Sequence, residues 1–225
     1  MMTRILCIET SAKVCSVALG EGARVLSSRL IEEAWSHSKM ITVLIQECLE
    51  EAELALDDLD AVAVSSGPGS YTGLRVGVSC AKGLCYGSDL KLISIPTLDI
   101  IAHPYLKESL DWVIPMIDAR RMEVYHKVIA TSGLKISDTS SKILDDKSFF
   151  ELKDYRVIFC GDGCQKMDNF NLSPNWQIDP QPAKALNMLP LAAKKFLDEK
   201  FEDVAYFTPF YLKPPNITKS KKSLF

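Results

Sequence analysis

The sequence predicts an α/β protein made of two lobes. Three short apolar or β-branched runs, at residues 4–9, 15–20 and 23–31, precede a helical pattern, and strands and helices then alternate up to residue 103. A second cycle of strands begins at residue 112, so the second half of the chain resembles a weakened copy of the first. With 225 residues, of which 47% are hydrophobic, each lobe has enough apolar side chains to form a core.

The first lobe is predicted to span residues 1–106. Apolar residues at helical spacing, among them Met40, Ile41 and Leu44, predict a helix over 37–54 with a wide apolar face and an N-cap at Ser36 or Ser38. Besides the opening strands and this helix, we expect a strand at 60–66, a helix at 71–86, a strand at 91–95 and a helix at 97–103.

The second lobe is predicted to span residues 107–213 and to be reduced, because its pattern is weaker. We expect a helix over 183–200 that Pro190 interrupts, since proline lacks the amide proton that a helix interior needs. The polar residues at the end predict a flexible tail, 214–225. The expected strands of this lobe are 112–118, 122–130, a weaker one near 141–145, and 156–161.

The charge and cysteine content exclude several classes of protein. The net charge is −3, so binding to nucleic-acid phosphates would need a local basic patch, such as the lysines within residues 219–222. Seven cysteines without a signal peptide or a repeated spacing indicate reduced thiols in the cytoplasm. No segment approaches the roughly 20 apolar residues of a membrane span, so we expect no membrane partner.

A glycine-rich turn joins the strand at 60–66 to the next helix. Gly67, Gly69 and Ser70 can leave backbone amides free at a helix N-terminus, where an anion is favoured. The turn lacks the Gly-Lys-Ser/Thr ending of a P-loop and the Gly-x-Gly-x-x-Gly spacing of a dinucleotide site. Two interpretations therefore stay open: a phosphate turn, or a place where two backbones pass closely.

Two other turns carry polar residues that suit a phosphate. Glu9, Thr10 and Ser11 place an acid and two hydroxyls between the first two strands, although Thr-Ser is also ordinary turn chemistry. Asp118 ends a strand and is followed by arginines at 120–121, which can bind an anion or form a local ion pair.

Small residues recur on the helix at 71–86. Gly73, Gly77 and Ala81 are spaced by four residues, and Cys80 lies beside them. Small residues let another backbone approach closely, whereas each helical glycine costs about 1 kcal/mol relative to alanine. The close neighbour is either part of the same chain or a helix of a partner chain.

The sequence offers neither a metal site nor a catalytic constellation. Two metal-binding histidines on a helix stand one turn apart, and His37 is followed at that spacing by Ile41. Gly161 and Gly163 form a second Gly-x-Gly turn, whose flanking cysteines do not make a zinc site. Histidines are too few to assemble a Ser-His-Asp or Cys-His arrangement, so we expect no catalytic residue.

Six segments together resemble one known family. They are "ILCIETSAKVCSVAL", "SHSKMITVLI", "SSGPGSYTGLRVGVSCAKGL", "SIPTLDIIA", "PMIDARRMEVY" and "GDG", in this order, and the match covers most of residues 4–165. The sequence resembles the bacterial TsaB family, also called YeaZ, whose members are accessory subunits in the synthesis of threonylcarbamoyladenosine (t6A) in tRNA.

The resemblance implies an actin-like ATPase fold, in which two ribonuclease-H-like lobes face a cleft. Glu9 stands where many actin-like proteins have an aspartate, so the cleft is expected to be vestigial, without a cofactor and with a nucleotide bound weakly at most or at the interface with TsaD. The expected cleft residues are Glu9, Thr10, Ser11, Gly67, Gly69, Ser70, Asp118, Gly161 and Gly163.

The resemblance also implies a function and its partners. The protein would be non-catalytic and would bind the paralogue TsaD, joined by the ATPase TsaE, so that TsaD can transfer a threonylcarbamoyl group to N6 of adenosine 37 in tRNAs that read ANN codons. TsaD-like proteins carry two metal-binding histidines one turn apart, and here Ile41 stands in place of the second. We expect tRNA contact only through the complex, and a homodimer when TsaD is absent.

The partner surface implied by the resemblance lies on the helices at 37–54 and 71–87. A nucleotide-hydrolysing enzyme of the same superfamily is the alternative hypothesis, and a peptidase lacks a nucleophile and base. The expected interface residues are His37, Met40, Ile41, Leu44, Gly73, Arg75, Val76, Gly77, Cys80 and Ala81.

Overall fold

Two mixed sheets form the framework of the protein. The structure, a computed structural model, describes residues 3–22, 24–32, 37–132 and 137–214; for 37–39 it describes the backbone alone. The candidate caps Ser36 and Ser38 and most of the predicted tail therefore lie outside the described side chains.

The first sheet has five strands in the order β3-β2-β1-β4-β5. Antiparallel pairing joins β1, β2 and β3, whereas β4 and β5 continue the sheet in parallel from β1. Ile5 and Cys7 of β1 face one apolar core while Leu6 and Ile8 face another, so both faces of the sheet are covered. The strands are β1 Arg4–Glu9, β2 Cys15–Glu21, β3 Arg24–Ile31, β4 Ala61–Gly67 and β5 Lys91–Pro96.

Four helices cover this sheet. Helices α1 (His37–Glu51) and α2 (Tyr71–Ser88) pack on one face, and α3 (Thr97–Ala102) and α4 (Leu189–Leu197) pack on the other. Helix α1 ends three residues before the predicted boundary, because Glu53 takes a left-handed conformation (φ +53°) and the Leu54 amide donates to the Leu49 carbonyl. The predicted strands and helices of the first lobe are otherwise confirmed.

The second sheet repeats the strand order of the first. Its order is β11-β10-β6-β7-β9, so β6 takes the place of β1, β7 and β9 are antiparallel to their neighbours, and β10 and β11 are parallel. The duplication expected from element order is therefore confirmed. The strands are β6 Trp112–Asp118, β7 Glu123–His126, β8 Ile129–Ala130, β9 Ser140–Ile143, β10 Val157–Cys160 and β11 Trp176–Asp179.

The structure differs from the prediction at three places in the second half. The run at 122–130 is two strands, β7 and β8, which pair with different ends of β6. Strand β11 was not predicted. Pro190 lies in the first turn of α4, where its missing amide costs no hydrogen bond, so the proline starts this helix after a 3-10 turn (Ala185–Met188) rather than interrupting it.

The two sheets share one apolar core on the side of α3. Leu98 and Ile101 of α3 pack in the same cluster as Val113 of β6 and Ile158 of β10. Helix α4, which packs on the first sheet, also contributes to that cluster. The boundaries at 106 and 213 stay a prediction. The chain after residue 183 nevertheless packs largely on the first sheet, which places α4 beside α3.

Candidate functional site

A cleft of about 820 Å³ separates the two lobes where β1, β4, β6 and β10 end. One wall is formed by the turn after β1 and the N-terminus of α2, including Ser11, Gly69 and Ser70. The other wall includes Asp118 and Asp162. Four of the nine predicted cleft residues therefore line one cleft: Ser11, Gly69, Ser70 and Asp118. The other five are not part of its lining: Glu9, Thr10, Gly67, Gly161 and Gly163.

The turn after β1 is mostly a structural element. Glu9 and Thr10 are completely buried, and Ser11 reaches the cleft wall. Thr10 Oγ1 donates a hydrogen bond to the Gly73 carbonyl at 2.8 Å, and the Ser11 amide donates to Glu9 Oε1 at 2.6 Å. Burial raises the pKa of Glu9, more than its hydrogen bonds to Ser11 lower it.

The glycine-rich turn is shaped by close backbone contacts. Gly67 has φ +109°, and a Cβ there would overlap the carbonyl oxygen of Phe210. A Cβ on Gly69 would lie 2.6 Å from the Ser11 carbonyl oxygen, and the Ser70 amide donates to that oxygen at 2.6 Å. Close packing therefore accounts for both glycines, and Ser70 caps α2 by accepting from the Gly73 amide at 3.2 Å.

The equivalent turn of the second lobe has the same construction. A Cβ on Gly161 (φ +93°) would overlap the Met116 carbonyl oxygen, and one on Gly163 would lie 2.7 Å from the Ile117 carbonyl carbon. Asp162 Oδ1 accepts from the Asp118 amide at 3.1 Å, and burial raises the pKa of Asp162. Gly69, Gly161 and Gly163 therefore lie against the first strand of their own lobe or its adjoining turn, whereas Gly67 lies against Phe210.

Asp118 does not pair with the arginine side chains that follow it. Its carboxylate accepts from Lys166 Nζ at 2.7 Å and from the Arg120 amide at 2.6 Å. Burial acts to raise the pKa of Asp118, but these hydrogen bonds outweigh it and the pKa is lowered. The predicted local pair with an arginine is therefore wrong, since the ion pair of Asp118 is with Lys166, 48 positions along the chain.

The buried stripe of α2 contacts its own chain. A Cβ on Gly73 would overlap the Thr10 carbonyl oxygen, and a Cβ on Gly77 would overlap Thr10 Oγ1. Ala81 is also completely buried. We expected these small residues to admit a partner helix, and that expectation is wrong, since the turn after β1 already fills the space.

Ile41 and Leu44 of the predicted interface also lie in the interior. They are 2% and 3% exposed and pack in the core between α1, α2 and the first sheet. Met40, Val76 and Cys80 are partly exposed, and Arg75 is exposed with its guanidinium 4.1 Å from the centre of the Tyr71 ring. The side chain of His37 lies outside the described part of the chain.

A second set of glycines on α2 has no intramolecular neighbour. A Cβ built on Gly83 or Gly87 meets no described atom within 4 Å, and both residues are exposed. Beside them an apolar groove of about 380 Å³ runs between α1 and the segment that follows it, bounded on the α2 side by Leu84. We call this surface the α1–α2 face; it comprises Thr42, Ile45, Gln46, Leu49, Glu50, Leu54, Leu56, Gly83, Leu84 and Gly87.

Neither thiol nor metal chemistry is assembled in the described part of the chain. All seven cysteines are unpaired, and burial raises the pKa of each thiol. Among described side chains, no three His, Cys, Asp or Glu groups are placed to hold a metal ion. Because the His37 side chain is not described, the expected absence of a metal stays a prediction. No helix described here has both the length and the apolar character of a membrane span.

Comparison with known structures supports the fold. The structure of YeaZ from Pseudomonas aeruginosa is similar with a TM-score of 0.80 and 24% identity, over 94% of this chain and all of that one. An activator of 2-hydroxyisocaproyl-CoA dehydratase from Clostridium difficile, solved with bound ADPNP, has a TM-score of 0.52 at 10% identity, over 88% and 96% of the two chains. The predicted actin-like ATPase fold is confirmed.

Comparison of sequences identifies the family. Residues 31–220 match a family model described as "TsaD: tRNA N6-adenosine threonylcarbamoyltransferase". The tRNA threonylcarbamoyladenosine biosynthesis proteins TsaB of Haemophilus influenzae and Escherichia coli are each 30% identical to this chain, which they match over 93% of its length; the match covers 93% and 94% of those proteins. A tRNA N6-adenosine threonylcarbamoyltransferase of Ruegeria pomeroyi is 34% identical over 125 residues, 44% of this chain and 34% of that protein. The chain therefore belongs to the TsaB family of tRNA threonylcarbamoyladenosine biosynthesis proteins.

Proposed function

We propose that this protein is a non-catalytic subunit that binds a TsaD-type transferase through the α1–α2 face. In that complex it supports threonylcarbamoyl transfer to N6 of adenosine 37 in tRNAs that read ANN codons. The observation that carries the proposal is the pair of exposed helical glycines, Gly83 and Gly87, beside an apolar groove.

The two glycines are costly unless something packs against them. Each helical glycine lowers helix stability by about 1 kcal/mol relative to alanine. Gly73 and Gly77 are explained by the Thr10 contacts, whereas a Cβ on Gly83 or Gly87 would face open space within the described chain. A partner helix that approaches closely would account for them.

The groove beside the glycines suits the same partner. Its lining is dominated by Leu49, Leu54, Leu56 and Leu84, with polar side chains such as Gln46 and Glu50 at its edge. An apolar centre with a polar rim is typical of protein interfaces. The likeness to a transferase over 125 residues suggests that both partners present related helices and form a four-helix contact.

The remaining partners and the location follow from the same proposal. The α1–α2 face would form a homodimer when the transferase is absent, and the two assemblies would compete for one surface. The ATPase TsaE would join the complex, tRNA would be bound only through it, and the complex would act in the cytoplasm.

The cleft supports a non-catalytic role because packing explains its glycines. Gly67, Gly69, Gly161 and Gly163 all face backbone atoms of their own chain. We propose that the chain holds no cofactor of its own and that a nucleotide binds weakly at most or at the interface with the transferase. Calorimetric titration with ATP and magnesium checks this, since tight binding with turnover would favour the alternative, a nucleotide hydrolase.

A matched pair of substitutions at one glycine tests the partner surface. Gly83→Ala should stabilise the monomer, measured at a dilution that separates any homodimer, by up to about 1 kcal/mol, because alanine is the better helix former. The same variant should weaken co-purification with the TsaD protein of the same organism, and Gly83→Leu should abolish it together with t6A formation in a reconstituted reaction.

Lys194→Leu is the control, because it places a leucine at an exposed position of α4, away from the α1–α2 face. It should leave both complex and t6A formation unchanged. If Gly83→Leu co-purifies with TsaD as well as the control does, the assignment of the α1–α2 face is wrong.

A further inference from the structure

Residues 201–213 form a strap, with a turn at 204–206, that follows α4 and runs along the first lobe to the cleft. The Glu202 amide donates to the Leu92 carbonyl at 2.8 Å, and Glu202 Oε1 accepts from Ser94 Oγ at 2.5 Å. Further along, Lys82 Nζ of α2 donates to the carbonyls of Ala205 at 3.0 Å and Phe207 at 3.1 Å. The first part of the strap is thus fastened to β5 and α2.

The strap then crosses the glycine-rich turn. The Phe210 amide donates to the Ser66 carbonyl at 2.7 Å, and the Phe210 carbonyl occupies the space that a Cβ on Gly67 would need. One residue later the Tyr211 ring packs on Tyr71, with ring centres 4.7 Å apart. Gly67 therefore allows the strap to pass against the end of β4.

The end of the strap reaches the other lobe. Lys213 forms an ion pair with Glu123 of β7, in the second lobe. Tyr211 and Lys213 are themselves part of the cleft wall. The lysine side chain is 44% exposed, and an ion pair this accessible to water contributes little stability.

The lobes are joined more firmly by their shared apolar core. There Leu98 and Ile101 share an apolar core with the second sheet, and Lys127 Nζ lies 2.6 Å from Asp99 Oδ1. A packed core acts as a fixed support, so relative motion of the lobes would pivot about α3. Tyr211 and Lys213 line the cleft outside this core, so such motion would change the distance between the end of the strap and Glu123.

We propose that the strap is a latch, which closes the mouth of the cleft while Lys213 is paired with Glu123 and opens it when that pair breaks. Release frees the end of the strap from Tyr71 and Ser66, while its beginning stays fastened at Leu92 and Lys82. The latch belongs to the single chain and needs no partner, so it is independent of the function proposed for the α1–α2 face.

Amide hydrogen exchange of the full chain tests the latch. Two amides report separately: Phe210 on the part that is released and Glu202 on the part that stays bound. In Lys213→Gln, exchange at Phe210 should rise about two- to fivefold, the factor that an exposed ion pair is worth, with exchange at Glu202 unchanged. Glu123→Gln should have the same effect.

The double variant Lys213→Gln/Glu123→Gln should exchange no faster at Phe210 than either single variant, because one interaction is lost in all three. Lys200→Gln is the control, since it removes an exposed ion pair with Asp198 that lies outside the strap's contacts with the second lobe. Unchanged exchange at Phe210 in the single variants, or equal acceleration at Phe210 and Glu202, would overturn the latch.

Discussion

The two lobes have the same strand order and very different coverings. Between the third and fourth strands the first lobe has α1, with 15 residues, and between the fourth and fifth it has α2, with 18. At the same places the second lobe has a 3-10 turn (Phe150–Leu152) and a 3-10 helix (Asp162–Asn169). The same sheet topology is therefore compatible with long or short helical connections. The proposed partner surface lies on the lobe with the long helices.

The turns that face the cleft differ less than the helices. Strand β4 and its equivalent in the second lobe, β10, each end in a Gly-x-Gly turn whose first glycine has positive φ, at Gly67 and Gly161. The crowding atom is the Phe210 carbonyl in the first lobe and the Met116 carbonyl in the second. The first obstacle belongs to the strap, whereas the second belongs to a central strand.

Replacing these glycines should have the largest effect on the free energy of unfolding. Gly161→Ala should lower the free energy of unfolding by about 3 kcal/mol, from backbone strain at φ +93° and overlap with β6. Gly67→Ala should cost less, about 2 kcal/mol, because the strap can shift while a central strand cannot. Urea denaturation of both variants measures the difference.

Gly22→Ala is the matched control for this comparison. Gly22 has φ +60°, and a Cβ there meets no described atom within 4 Å, so the substitution carries strain without overlap and should cost about 1 kcal/mol. If the free energy of unfolding falls by the same amount in all three variants, overlap with the neighbouring carbonyl oxygens is not the reason that glycine is required at Gly67 and Gly161.

The two lobes also show what a sequence can reveal about packing. The strand order is readable because each strand has its own apolar run, and the repeat of that order predicts the second lobe. Two stripes on α2 have the same four-residue spacing, one through Gly73 and Gly77 and one through Gly83 and Gly87. Spacing cannot say which stripe faces inward, because the answer depends on Thr10, more than 60 positions away.

The path of the strap could not be predicted from the sequence either. Gly67 suits a phosphate turn and a close backbone contact equally well, and the contacting residue, Phe210, is distant in the chain. Strand β11 escaped prediction because it has only four residues, of which two, Trp176 and Ile178, are apolar, and none is fully buried. Long-range contacts of this kind leave no local pattern.

The acids that end the first strand of each lobe should make the stability depend on pH in opposite directions. Burial raises the pKa of Glu9, so its contribution to stability is complete below its usual pKa and is lost as the pH rises. The glutamine of Glu9→Gln cannot ionise. The free energy of unfolding of this variant should therefore increase relative to that of the wild type at alkaline pH, by about 1.4 kcal/mol for each unit by which the pKa is raised. Urea denaturation from pH 4 to 8 measures this slope, and a difference that does not grow with pH would contradict it.

Asp118 of the second lobe should show the opposite and smaller effect. Its pKa is lowered, so its contribution to stability is present above the usual pKa of aspartate and is lost as the pH falls through the lowered value. Asp118→Asn should therefore be less stable than the wild type at pH 7 and equal to it near pH 2. The side chain is 47% exposed, so the loss should stay below about 1 kcal/mol and shrink at high salt. Urea denaturation extended from pH 4 down to pH 2 measures this loss. A stability difference that changes with pH in the same direction as that of Glu9→Gln would contradict the prediction.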